Sequence, residues 1–183
     1  MERAAELFAE RGVAGTSLDD VLAAAGAGKS QLYHYFSGRE ELEEAAVGRR
    51  CTQVLAGLTQ ALGSVASLAG LEQALAGFVA GFEQMGLPGC PIGSLAAEVA
   101  ERNDGARLQT AAAFDVWERL FADALERMRG RGELRADASP AALATALLAS
   151  IEGGMVLSQT RKDPASLRIA VEAGLAQVRT YLD

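Results

Sequence analysis

The chain has 183 residues, of which 50% are hydrophobic, so it can bury a sizeable core, and this composition argues against disorder. Its formal net charge of −7 argues against a protein coated in basic charge, but it permits DNA binding through a small local basic patch. The two cysteines, Cys51 and Cys90, are too few for a disulfide framework and predict a reducing compartment.

The predicted elements are all helical. No segment alternates strictly between apolar and polar residues as a strand does, and all four prolines fall between helical patterns. No apolar run approaches the ~20 residues of a membrane span, and no signal layout opens the chain, so we expect a cytoplasmic protein with no membrane contact. The predicted helices cover about residues 2–11, 16–25, 29–36, 39–62, 68–85, 94–101, 106–129, 140–161 and 164–182.

Residues 16–42 contain a short helix, a turn with two glycines at 26–28 and a second short helix, which is the layout of a DNA-reading helix-turn-helix. The Ser/Thr-x-x-acid capping pattern occurs twice at the start of the first of these helices, pairing Thr16 with Asp19 and Ser17 with Asp20.

The turn at residues 26–28 also looks like the end of a phosphate-binding loop, G-x-x-x-x-G-K-[ST]. The first glycine of that pattern would fall at Ala23 and no strand precedes it, so this interpretation is the weaker one.

An enzyme is not expected. His34 is the single histidine, and a Ser-His-acid arrangement or a His/Cys metal site would have to be built around it. The many carboxylates lie on helix surfaces, where solvation explains them. We therefore predict no catalytic residue, no metal ligand and no cofactor.

The second short helix carries the residue types that contact DNA. Lys29 and the first amides of the helix would face phosphates, while Ser30 and Gln31 could reach base edges, with Gln suited to adenine. Further candidates for contacts to the backbone or to thymine methyls are Thr16, Tyr33, His34, Tyr35 and Arg39. For each residue alone, an alternative is a partly buried support or a solvated surface residue. The cluster as a whole favours DNA.

The C-terminal part has few polar residues between its aromatic ones, as expected for an apolar ligand pocket or for plain core packing. The pocket candidates lie at helical spacing on the fifth, seventh and eighth helices: Phe78, Phe82, Met85, Phe114, Trp117, Phe121 and Met155. Cys51 and Cys90 are interpreted as buried thiols in preference to redox sensors. Gly153 and Gly154 would weaken the eighth helix and predict a close approach at an interface or pocket.

Residues 3–48 resemble the N-terminal domain of the tetracycline-repressor (TetR) family of transcriptional regulators. The matching residues are AAELFAERGVAGTSLDDVLAAAGAGKSQLYHYF followed by SGREEL, which combine Leu-Phe, Thr-Ser, the Ala-Gly turn and Leu-Tyr-x-Tyr-Phe at fixed offsets. The remaining residues match mainly in helix count and length, although Gly-Cys-Pro-Ile-Gly at 89–93 resembles one subset of such regulators.

This resemblance implies a DNA-binding domain at residues 1–48 and a helical domain at 49–183 that binds a ligand and dimerises. By position it adds Gly28 to the DNA-binding candidates, although the family often has Ser there. It also implies a homodimer through the eighth and ninth helices, and charged residues at Val171 and Val178 would then give monomers. Acidic residues outnumber basic ones in residues 1–48, and the usual basic arm is absent, so we expect modest affinity or a start further upstream.

The predicted function is a repressor that binds an inverted-repeat operator in double-stranded DNA and is released by a small, mainly apolar effector. The alternative is a helical interaction protein with a vestigial helix-turn-helix and no regulated operator. A salt-dependent gel shift would separate these two classes.

Overall fold

The computed structural model describes residues 2–182. Within this range the regular structure consists of nine α-helices and one isolated antiparallel bridge between Leu134 and Leu182, which confirms the predicted all-α fold class. The helices are α1 (Glu2–Arg11), α2 (Leu18–Ala25), α3 (Lys29–Tyr35), α4 (Arg39–Leu62), α5 (Leu68–Gln84), α6 (Pro91–Val99), α7 (Asp104–Gly130), α8 (Pro140–Arg161) and α9 (Ala165–Arg179).

Several helix ends follow directly from local side-chain chemistry. Ser17 caps α2, because its hydroxyl accepts a hydrogen bond from the Asp20 N–H while the Asp20 carboxylate accepts one from the Ser17 N–H. Ser139 caps α8 with a single bond, because its hydroxyl accepts from the Ala142 N–H, and Pro140 follows at the first helical position, where no N–H is needed. The starts of α2 and α8 and the turn after α2 were all predicted from the sequence, because each depends only on residues that are close by in the chain.

Two predicted boundaries were wrong by three residues, while the others agree with the structure to within about two. α6 begins at Pro91 and not near residue 94, because proline is tolerated in the first turn of a helix. α9 ends at Arg179 and not near residue 182. The chain leaves the helix there, since the Arg135 N–H donates to the Tyr181 carbonyl at 2.9 Å and Leu182 pairs with Leu134.

The chain divides into two compact units. In the described range the first unit comprises residues 2–55 and Pro91–Phe114, and the second comprises Ala56–Cys90 and 115–182. The first unit therefore contains α6 and the start of α7 together with α1 to α3 and most of α4. Its buried side chains come from each of these elements: Ala4, Phe8, Val21, Leu22, Leu32, Leu42, Ala46, Ile92, Leu95 and Ala106.

The second unit is organised around the packing of α8 on α9. Gly154 of α8 lies so close to α9 that a Cβ on it would meet the Ala170 Cβ at 2.8 Å and the Leu167 Cα at 3.0 Å. The buried Ser158 hydroxyl accepts a hydrogen bond from the Leu167 N–H at 2.9 Å. The close approach predicted from the glycine pair is thus confirmed for Gly154, whereas a Cβ on Gly153 would meet nothing within 4 Å.

α8 is also the one helix in residues 2–182 that is long and apolar enough to cross a membrane. It has 22 residues with a mean hydropathy of 1.6 in its most apolar window, so the expectation that no apolar run approaches membrane length was wrong. The core helix of a soluble protein meets the same criteria. Of that window, 44% is buried within the protein, in keeping with the packing against α9.

Candidate nucleic-acid interface and apolar cavity

The turn between α2 and α3 is set by its glycines. Gly26 has φ +61°, a left-handed conformation that glycine adopts without cost, and the Ala27 N–H donates to the Leu22 carbonyl at 3.0 Å to close α2. Gly28 then caps α3 with extended backbone. Leu32 is the buried residue of α3 and fixes the helix to the first unit, which leaves the rest of α3 turned to solvent.

Three consecutive rings extend from α3 into solvent. The Tyr33 side chain is 57% exposed and Tyr35 is 72% exposed, and His34 contacts the Tyr35 ring edge-on at 4.9 Å between centroids. The alternative that the tyrosines are partly buried supports therefore does not describe this structure. Large exposed aromatic residues side by side are unusual on a soluble surface and indicate a contact with a partner.

The polar candidates on α3 already have intramolecular contacts. The Lys29 ammonium lies 3.3 Å from an Asp19 carboxylate oxygen, and both side chains are mostly exposed. The Gln31 side-chain carbonyl accepts a hydrogen bond from the Gly28 N–H at 3.0 Å, which leaves its amide N–H₂ available. Ser30 is exposed.

Of the two flanking candidates, Thr16 differs from the prediction and Arg39 remains a candidate. Thr16 is 1% exposed, and its hydroxyl donates to the Gly12 carbonyl at 2.8 Å, so the predicted DNA contact by this side chain was wrong: the hydroxyl stabilises the loop between α1 and α2. Arg39 is partly exposed, but its guanidinium donates to Glu43 at 2.6 Å and to the Val13 carbonyl at 2.9 Å. A guanidinium with two bonds still has donors left for a phosphate.

Sequence reasoning missed two residues that hold this unit together. Glu98 of α6 accepts hydrogen bonds from the Val13 and Ala14 N–H groups, both on its Oε2 atom, at 2.7 and 3.2 Å. The buried Asn103, just before α7, donates to the Glu40 carbonyl at 3.0 Å and accepts from the Ala106 N–H at 2.9 Å. Neither residue type is distinctive in the sequence, and the contacts to Val13 and Glu40 each span more than 60 residues.

The second unit contains a small apolar cavity of about 20 Å³, which is room for about one water molecule. Four helices contribute to its lining: Leu58, Ala61, Leu62, Ala74, Leu75, Phe78, Trp117, Phe121 and Ile151. The three aromatic residues also contact each other, with Trp117 6.0 Å from Phe78 and 6.5 Å from Phe121 between ring centroids. Ligand pockets usually enclose ~300–1,000 Å³, so the side chains around this cavity would have to move apart until its volume grew more than ten-fold to hold a drug-sized ligand.

Of the seven predicted pocket residues, Phe78, Trp117 and Phe121 line this cavity and four do not. Phe82 and Met155 are buried in the core of the second unit outside the lining. Met85 lies beyond the end of α5 with 69% of its side chain exposed, and Phe114 belongs to the first unit. Helical spacing correctly placed these residues on apolar faces, but it does not determine which neighbour each face meets.

Two buried polar groups in the second unit lack a hydrogen-bond partner among the described residues: the Trp117 indole N–H and Oε1 of Glu152. Burial raises the pKa of the Glu152 carboxyl, an effect that a hydrogen bond with Cys90 partly offsets. A buried indole N–H normally finds an acceptor, so the Trp117 N–H is an unsatisfied donor in the second unit, whereas the surface of the cavity itself is apolar.

Cys51 and Cys90 are both buried thiols, in keeping with their interpretation as structural residues. Burial raises the pKa of the Cys51 thiol, which disfavours the reactive thiolate. No group of three metal-ligating side chains lies together in the part of the chain that the structure describes.

Known proteins resemble this chain along most of its length. Residues 1–46 match the family described as bacterial regulatory proteins of the tetR family, and residues 67–173 match the C-terminal domain of LmrA/YxaF-like transcriptional regulators. An uncharacterized HTH-type transcriptional regulator of Mycobacterium tuberculosis is 34% identical over 176 residues, which cover 87% of this chain and 82% of the relative. The HTH-type transcriptional repressor DhaR of Mycobacterium sp. (strain GP1) is 28% identical, with 85% of this chain and 78% of DhaR covered.

The solved structure of the regulatory protein TetR from Rhodobacter sphaeroides superposes with a TM-score of 0.78 at 27% identity, covering 98% of this chain and 95% of that one. The chain therefore belongs to the TetR family and is a DNA-binding transcriptional regulator. Regulators of this family bind DNA operators, dimerise, are not enzymes and are typically cytoplasmic.

Proposed function

We propose that this chain is a repressor that binds an inverted-repeat operator and leaves it when a small, mainly apolar effector enters the second unit. The observation that carries the proposal is the solvent-facing surface of α3, where Lys29 is followed by the exposed rings of Tyr33, His34 and Tyr35. In helix-turn-helix proteins this second helix enters the major groove. Residues 1–48 would then form the DNA-binding domain and residues 49–183 the effector and dimerisation domain.

The roles on α3 follow from side-chain chemistry. The Lys29 ammonium and the free N–H groups at the start of α3, next to Gly28, would bind phosphates. Ser30 and the side-chain amide of Gln31 would contact base edges. The exposed rings would make apolar contacts with thymine methyls or hydrogen bonds with the backbone, and Arg39 would reach the same phosphate run.

A substitution of Lys29 tests the DNA contact. Lys29→Ala should weaken binding to every duplex and lower the log–log salt slope by about 1 for each phosphate that is no longer bound. The chain provides a matched control, because Lys162 is the other lysine and lies exposed at the end of α8, so Lys162→Ala removes the same charge elsewhere. The specific duplex used in these titrations is one that the unmodified protein selects from a pool of random sequences. Equal salt slopes for the two variants would contradict a role for α3.

Gln31→Ala should instead relax the choice of base while leaving the salt slope unchanged, because Gln31 carries no charge. A repeated selection with this variant measures the change. If the selected sequence stays the same, Gln31 serves only to cap α3 through Gly28.

The effector is expected to occupy a widened form of the apolar cavity beside Phe78, Trp117 and Phe121. Because Trp117 is the single tryptophan, a screen of small apolar compounds by fluorescence quenching reports directly on this cavity. A coupling of ~1–3 kcal/mol would lower operator affinity 5–150-fold. Phe78→Ala should weaken compound binding, whereas the control Met85→Ala, outside the lining, should not. A compound that quenches Trp117 but leaves operator affinity unchanged would contradict effector release.

For the dimer we propose the outer faces of α8 and α9. Val171 and Val178 are buried within the protomer, so charges there would disrupt the core, and the expectation that they mark the interface was wrong. Three large apolar side chains on these helices are exposed instead: Val156, Leu157 and Ile169. A two-fold axis would let such a patch bury itself against its own copy.

Val156→Asp should therefore give monomers that lose affinity for the full operator. Leu108→Asp is a matched control, because Leu108 is 53% exposed and Val156 is 55% exposed, but Leu108 lies on α7 in the first unit. Sedimentation at micromolar concentration measures the outcome. A dimer that survives Val156→Asp, or dissociates equally with Leu108→Asp, would reject this interface.

A further inference from the structure

Side chains make most of the hydrogen bonds of the loop between α1 and α2. The Gly12 carbonyl accepts a hydrogen bond from the Thr16 hydroxyl, and the Val13 carbonyl accepts one from Arg39. The Val13 and Ala14 N–H groups donate to the Glu98 carboxylate at 2.7 and 3.2 Å. Thr16 and Arg39 belong to the helix-turn-helix segment itself, whereas Glu98 reaches the loop from α6, more than 80 residues away in sequence.

The loop is shaped to receive this carboxylate. Gly12 has φ +76°, and a Cβ at that position would lie 2.8 Å from Oε2 of Glu98. The Val13 side chain is 1% exposed, so it lies in the core of the first unit. Glu98 therefore binds the loop backbone at a residue whose side chain is itself buried. Glycine at position 12 therefore serves both the turn and the approach of Glu98.

We propose that Glu98 is a positioning residue through which α6 holds the helix-turn-helix in its DNA-reading arrangement. The loop leads directly into Ser17, the cap of α2, and α2 leads through the Gly26 turn into α3. A carboxylate is a strong acceptor for backbone N–H groups, so any change in α6 that withdraws Glu98 frees the loop that leads into α2. This inference rests on the proposed reading of DNA by α3, and it concerns the single contact that Glu98 makes with the loop before α2.

The test compares two DNA affinities for each variant: that for a duplex selected by the unmodified protein from a random pool, and that for a duplex of random sequence. Glu98→Ala should lower the first about ten-fold, because two loop N–H groups lose their partner, and leave the second unchanged. Glu98→Gln should retain most of the selectivity, because both hydrogen bonds go to a single oxygen that the amide preserves. Glu101→Ala, an exposed carboxylate just after α6, is the charge-matched control and should bind both duplexes like the parent.

Amide hydrogen exchange gives an independent readout. Exchange at Val13 and Ala14 should accelerate in Glu98→Ala but not in Glu101→Ala. If Glu98→Ala fails to fold, Glu98→Asp serves in its place, since it keeps the charge but is one methylene too short to make both contacts.

Equal reductions of affinity for both duplexes, or unchanged selectivity in Glu98→Ala, would overturn the inference while leaving DNA binding by α3 intact. If the unmodified protein itself selects no sequence, the proposed function fails, and the positioning role fails with it.

Discussion

Replacement of Gly154 by alanine should show whether α8 and α9 pack as closely as the structure indicates. A Cβ at Gly154 would meet the Ala170 Cβ at 2.8 Å and the Leu167 Cα at 3.0 Å. The second of these atoms is backbone, so the two helices would have to separate by several tenths of an ångström. Overpacking of this kind costs about 1–3 kcal/mol. The same substitution also gains about 1 kcal/mol, because alanine favours a helix over glycine.

Gly77→Ala measures the gain in helix propensity separately from the packing cost. It lies inside α5 and is exposed, and a Cβ on it would meet nothing within 4 Å, so Gly77→Ala should gain only the helix propensity of alanine. The difference between the two variants is then the packing cost alone, with Gly154→Ala about 1–3 kcal/mol less stable than Gly77→Ala.

Urea unfolding at one fixed protein concentration measures this difference, since dimerisation makes stability depend on concentration. In a thermal scan each kcal/mol corresponds to about 2–4 °C for a chain of this size. Equal shifts for Gly154→Ala and Gly77→Ala would refute the close packing of α8 on α9.

Three further substitutions have defined outcomes. Glu152→Gln should stabilise the protein near neutral pH but not below about pH 4.3. Burial raises the pKa of the Glu152 carboxyl, so the folded protein favours its protonated form, and that stabilisation is lost as the pH rises through the folded-state pKa. Urea midpoints of both proteins at several pH values measure this trend, and a difference that does not change with pH would contradict it. Asp19→Asn should increase DNA affinity several-fold at low salt, because it frees Lys29 and removes a negative charge; a titration showing no gain would exclude competition by Asp19. Phe121→Ala should lower the free energy of unfolding in urea by about 3–5 kcal/mol, because this side chain is fully buried beside an existing cavity. A destabilisation below about 1 kcal/mol would contradict this and would mean that neighbouring side chains move in to fill the space.

The helices could be predicted from the sequence because their ends depend on near neighbours. The box formed by Ser17 and Asp20 and the Ser139–Pro140 start are local patterns, and the structure contains both. The same pattern also pairs Thr16 with Asp19, and the sequence does not show which of two adjacent hydroxyls caps the helix. Burial of Thr16 in the first unit settles that choice, and burial depends on the tertiary structure.

The candidate sites were harder to predict for the same reason. Periodicity identified the apolar faces of α5 and α7, and Phe78 and Trp117 do line the cavity, but the end of α5 and the division into two units leave Met85 and Phe114 elsewhere. Glu98 carries no local signal at all, because an acidic residue on a helix is usually solvated. Its importance comes from a loop that lies far from it in sequence.

The contacts on α3 also indicate how much its polar groups and how much its exposed rings contribute to DNA binding. Lys29 is paired with Asp19 and Gln31 caps the helix through Gly28, so both must exchange an internal partner for DNA, and the net gain from each is smaller than that of a free group. The rings of Tyr33 and Tyr35 are already exposed, and their burial against DNA removes apolar surface from water without breaking an internal bond of this kind. Since acidic residues outnumber basic ones in residues 1–48, long-range attraction to phosphates contributes little. Binding by this regulator should therefore depend more on close fit at α3 than on charge, and a close fit is the property that a positioning residue such as Glu98 controls.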